Sequence, residues 1–116
     1  APPEVRAALA RVPRPQAARR PSDPEMKRIF VESTRDGTRL TVEARFPGSV
    51  SGADLFIEAP EGLYVPLPKK IGTVSGGIVR FQSQLTADLA KDLKGKVLIC
   101  TLVSATGASE ARWTFK

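Results

Sequence analysis

A protein does chemistry with side chains that move protons or electrons, and this chain of 116 residues contains no histidine at all. That removes the Ser-His-Asp and Cys-His arrangements, the histidine general base and the ordinary zinc site together. The single cysteine, Cys100, permits no internal disulfide and sits in "VLICTLV", which reads as a buried strand. Burial in apolar surroundings raises a thiol's pKa and makes it inert, so Cys100 reads as a small core hydrophobe. The carboxylates Asp36, Asp54, Glu58, Glu61, Asp88 and Asp92 fall mostly at turns or on outward strand positions. They read as solvated charge and not as a pair facing across a sugar. Gly76-Gly77 lies between two strand patterns and lacks the strand–loop–helix setting of a phosphate cradle, and "DGT" is too short for a calcium loop. The expectation is a non-enzyme with no catalytic, metal or cofactor residue and no cofactor.

Recognition is the remaining kind of function, and one stretch suits it. "YVPLPKK" places Tyr64, Pro66, Pro68, Lys69 and Lys70 within seven residues. One reading makes these a partner-binding edge, with Tyr64 as an amphipathic contact and the two lysines adding charge. The other makes them an edge strand blunted by prolines and lysines against edge-to-edge pairing.

The elements that must position these residues follow a period of two. "KRIFVES" is a first strand. In "TRLTVEARF", Leu40, Val42, Ala44 and Phe46 face one way and Arg39, Thr41, Glu43 and Arg45 the other, which predicts a sheet with one wet face. "TRDGT" between these two runs is a hairpin turn. "ADLFIEA" and "GGIVRFQSQL" alternate as well, and "GLYVPL" reads as a short strand ended by Pro66 and Pro68. "TADLAKDL" allows two helical turns with Thr86 as N-cap. "KVLICTLVS" is apolar on both faces and is expected at the centre of a sheet, and "SEARWTF" closes the set with Ala111, Trp113 and Phe115 inward. About seven short strands in some ninety residues predict an all-β, immunoglobulin-like antiparallel sandwich, with a small barrel as the other option. About fifteen inward side chains, each worth roughly 1.5–3 kcal/mol when fully buried, are enough for an independent fold.

The first 25 residues read differently. "APPEVRAALARV" has helix-forming composition, and "PRPQAARRPSDPE" is too rich in proline for helix or ladder, so residues 1–25 are expected to be a helical end plus a linker and residues 26–116 the sandwich. The net charge of +6 is concentrated at this end: residues 1–28 carry seven Lys/Arg against Glu4, Asp23 and Glu25. A nucleic-acid binder would more often show a basic stripe with interleaved aromatics on the folded part, so none is expected as partner. No apolar run approaches the roughly 20 residues that cross a bilayer, and the N-terminus lacks the apolar core of a signal peptide.

"DLFIEAPEGLYVPLPKK", "VRFQSQL", "ADLKGKVLICTLVSATG" and the closing "SEARWTF" together resemble one bacterial family, the membrane thiol:disulfide interchange proteins of the DsbD type, in particular the suppressor-of-copper-sensitivity branch. In that family a cysteine-bearing periplasmic part precedes a β-sandwich part, and "AALARVPRP" looks like the end of the former. The resemblance implies a periplasmic module of an inner-membrane protein-disulfide reductase, linked to copper tolerance or cytochrome c biogenesis. Its partner is the cysteine-bearing redox domain or a periplasmic client. The family's redox chemistry needs two cysteines, so with Cys100 alone no catalytic residue carries over. A stand-alone periplasmic binding protein using an exposed strand edge is the alternative.

Overall fold

The computed structural model describes residues 14–15, 23–47, 52–60, 62–105 and 107–115. Among these residues, eight strands and one helix follow in chain order: β1 (Arg14–Pro15), β2 (Glu25–Thr34), β3 (Gly37–Arg45), β4 (Asp54–Glu58), β5 (Lys69–Ser75), β6 (Ile78–Leu85), α1 (Ala87–Leu93), β7 (Val97–Ser104) and β8 (Gly107–Thr114). They form two sheets, ordered β2-β3-β6-β5 and β1-β8-β7-β4. Every pairing is antiparallel except that of the two-residue β1, which runs parallel to β8 at Ser109 and Glu110. Leaving β1 aside, four strands face three in the ABED/CFG order of a constant-type immunoglobulin domain. The expected all-β sandwich of seven strands is therefore the observed one. β1 lies within the stretch expected to be linker, and as a sheet-edge element it can accommodate Pro15, which has no N–H to donate.

The alternation read from sequence places the core. Val42, Ala44 and Phe46 on one sheet meet Leu55, Cys100 and Leu102 on the other, all at 1% exposure or less. Phe46 and Phe81 pack with ring centroids 6.1 Å apart. A second cluster at the other end joins Leu40, Leu85, Leu93, Leu98 and Phe115, with Trp113 meeting Phe115 edge-on at 5.6 Å. β7 is central in its sheet, as its two apolar faces require. Helix α1 crosses from one sheet to the other. Thr86 Oγ1 accepts from the Leu89 N–H at 3.1 Å, the N-cap bond expected of it, and Leu93 plugs the end of the core.

Turn chemistry sets the hairpins. Gly76 and Gly77 have φ of 53° and 78°, the two left-handed positions of a type I′ turn between β5 and β6. Between β2 and β3 the turn residues are Arg35 and Asp36, and Gly37 begins the strand instead of sitting in the loop. A Cβ on Gly37 would collide with the Leu85 carbonyl oxygen, so the residue is required by close backbone approach.

Two expectations need correction. "GLYVPL" forms no strand: residues 63–68 are irregular, and the edge strand begins at Lys69. Pro66 and Pro68 cannot donate to a ladder, and the Pro66 carbonyl is instead held by the Ser83 hydroxyl at 2.8 Å. The outer face of β3 is also not wet at its centre. Thr41 is 1% and Glu43 7% exposed, covered by their cross-strand neighbours.

Candidate functional site

β5 is the outermost strand of its sheet, and it differs from β2, β3, β4, β6, β7 and β8: Lys69 through Val74 are all exposed. Its pairing with β6 slips twice, between Lys70 and Gly72 and between Thr73 and Ser75. The residues left out of register are Ile71 and Val74, at 50% and 48% exposure. A bulge re-aims the side chain it carries, and here it turns two aliphatic residues toward water. With Tyr64 (76%) and Leu67 (67%), this one edge holds four of the six exposed large hydrophobic residues among those described. Scattered exposed leucines need no explanation, whereas exposed apolar residues gathered on one surface mark a contact site, and Leu67 and Ile71 are gathered in the lining of one groove.

Beside the strip lies a groove of about 350 Å³, lined by Arg39, Pro66, Leu67, Lys69, Ile71, Gln82, Ser83 and Gln84. The register explains its floor. Lys69 stands opposite Gln82, Gln82 opposite Thr41, and Gln84 opposite Arg39, so these side chains share the outer face of the sheet. Gln84 donates to the Thr34 hydroxyl at 2.9 Å and Arg39 Nη2 to Glu32 at 3.4 Å. Arg39 Nε is buried without an acceptor. The lining offers aliphatic surface, two cations and no carboxylate.

The sequence-chosen residues thus divide. Tyr64, Lys69 and Lys70 are exposed along this edge, and Pro66 and Lys69 line the groove. Pro68 is buried and offers no surface. Arg39, Leu67, Ile71, Gln82 and Gln84 belong to the same surface and were missed. The outward positions of Arg39, Gln82 and Gln84 were legible from alternation, but not that they meet Leu67 and Ile71.

A second hollow, of about 340 Å³, opens at the other side of the sheet between β2 and α1, with Glu32, Lys91 and Lys94 among its walls. On the outer face of the same sheet, Glu43 receives Arg80 at 2.9 Å through Nε and 2.6 Å through Nη2, and Arg28 at 3.6 Å. Arg28 in turn lies 4.6 Å over the Phe30 ring. This cluster is closed on itself, each charge being spent on a neighbour.

Cys100 is fully buried on the inner face of β7, and burial pushes its thiol from 9.0 up to about 12. The unfolded chain loses this proton first, so the stabilising contribution is whole below about pH 9 and is lost as pH rises toward about 12. Among the described residues, no group of three or more Cys, Asp or Glu is placed to hold a metal ion, and no helix is long and apolar enough to cross a membrane. A scan of protein-family models, a search of curated proteins and a search of solved structures each found no match to the chain.

Proposed function

We propose that this domain is a non-catalytic recognition module that holds a protein partner against the β5 edge. The observation that carries the reading is the exposed apolar strip of Tyr64, Leu67, Ile71 and Val74 beside the groove. A strand edge serving only the fold is normally blunted with charge and bulges. β5 carries both, in Lys69, Lys70 and its two register slips, but the slipped positions also hold the exposed aliphatics Ile71 and Val74. The burial of Cys100 supports a passive role, because a thiol with a pKa of about 12 supplies almost no thiolate at neutral pH.

The setting we propose is the periplasmic part of an inner-membrane thiol:disulfide interchange protein of the DsbD type. In it, the module presents a cysteine-bearing redox domain or a client of that domain. Support comes from the motif resemblance together with a sandwich architecture of the kind it implies.

The test is a titration of the isotope-labelled chain with the cysteine-bearing domain of the parent protein, followed by amide shifts. Shifts confined to residues 64–74 and 82–84 are expected, with no insulin reduction by the chain alone and no native-state reaction of Cys100 with a thiol reagent at pH 7. Turnover that depends on Cys100 would overturn the non-catalytic reading, and an unmoved β5 edge would overturn the proposed surface.

A further inference from the structure

Resting on that reading of the β5 edge, we infer that the groove takes an extended acidic segment of a protein partner, its apolar side chains against Leu67 and Ile71 and its carboxylates against Lys69 and Arg39. The charge of the lining decides the sign. Arg39 and Lys69 border the groove, Lys70 is exposed beside it, and no Asp or Glu lines it. Lys69 is in no described ion pair, unlike Arg28 and Arg80, which are both committed to Glu43. Arg39 gives one guanidinium nitrogen to Glu32 while its buried Nε has no acceptor. The Arg39 side chain is 39% exposed, so an arriving carboxylate meets its outer guanidinium edge through a charge-assisted bond. Gln82 and Gln84 on the floor can donate to and accept from a peptide backbone.

The extent of the surface argues for a polypeptide over a small anion. Exposed apolar residues occur on both sides of the groove-lining Leu67 and Ile71 in the chain, Tyr64 before β5 and Val74 near its end, and the seven residues of β5 at ~3.3 Å each run roughly 20 Å. A small carboxylate would cover the cations and leave the strip wet. The two bulges break the backbone register on this edge, so the partner seats by its side chains over the sheet face and not as a regular added strand.

Three ten-residue synthetic peptides test this, with Leu and Val at alternate positions and Glu, Gln or Lys between them. They are titrated into the labelled 116-residue chain at low salt. The Glu peptide is expected to bind at least about tenfold tighter than the Gln peptide and to move the amides of Leu67, Lys69, Ile71, Gln82 and Gln84, while the Lys peptide leaves them still. Lys69→Glu, at an exposed position that leaves the fold intact, is expected to remove most of the preference for the Glu peptide over the Gln peptide. Equal binding of the Glu and Gln peptides at these amides would overturn the acidic partner while leaving the recognition surface standing. Free glutamate reproducing the same shifts would overturn the peptide in favour of a small anion. No shift with any peptide at millimolar concentration would overturn the inference, and the surface would then be judged on the redox-domain titration alone.

Discussion

β3 and β5 belong to the same sheet, two strands apart, and each reverses the usual relation between polarity and burial. β3 buries five consecutive residues, Leu40 to Ala44, and two of them are Thr41 and Glu43. β5 exposes six consecutive residues, and two of them are Ile71 and Val74. Position in the sheet explains the first reversal. A central strand has neighbours on both sides, so the guanidiniums of Arg28 and Arg80 close over Glu43 from β2 and β6. Opposite charges facing each other across strands stabilise a sheet, and here they also exclude water from the carboxylate. Position does not explain the second. An edge strand is free to be polar throughout, and stability gains nothing from two aliphatics left in water. The difference teaches that the buried charge is a structural feature and the exposed aliphatics are the functional candidates.

The sharpest way to break this contrast is to truncate an aliphatic residue at each place. Leu40→Ala removes a side chain 1% exposed where the strand meets the second core cluster, and it should lower unfolding stability by about 2–5 kcal/mol in urea titration. A loss under ~1 kcal/mol would mean that the sandwich core is loosely packed there and that β3 is not the rigid reference it is taken for.

Glu43→Ala comes next. It leaves Arg28 and Arg80 facing each other with no carboxylate between them, at side-chain exposures of 63% and 40%. Because both guanidiniums reach water, the cost should be about 1–3 kcal/mol, below that of breaking a fully buried pair. Combining Glu43→Leu with Arg80→Leu should recover part of that loss in the same urea measurement, since the less exposed of the two unpaired guanidiniums is gone and only Arg28, 63% exposed, remains. If the single variant is as stable as the parent, the pairing contributes nothing and Glu43 is buried only as a by-product of strand packing.

How much of this contrast was legible in the sequence follows the range of the interactions. The inward set of β3, the centrality of β7 and the Thr86 cap were legible, because each depends on residues within a few positions of one another. The burial of Glu43 was not, because its partner Arg80 lies 37 residues away and only the β3–β6 register brings them together. The bulges at Ile71 and Val74 were hidden for the same reason. "KKIGTVS" has no clear alternation of its own, and its register is set by β6. "YVPLPKK" drew notice for its prolines, yet Pro68 turned inward and the aliphatics Leu67 and Ile71 shape the groove. Proline marks where a strand cannot form, but not which neighbours will then be exposed.

The smallest effect carries the most weight for function. Ile71→Ser and Val74→Thr replace side chains about half exposed, at positions outside the ladder register, and each should change stability by no more than ~0.5 kcal/mol. A serine at position 71 loses apolar surface that already faces solvent in the free chain, so little burial is forfeited on folding. The same substitutions should weaken the binding of an acidic apolar peptide, because that surface is buried only in the complex. Urea titration of the two variants alongside Leu40→Ala checks the comparison within one set of measurements. If Ile71→Ser costs as much as Leu40→Ala, the bulged residues hold the edge strand in place, and the apolar strip belongs to the fold and not to a partner.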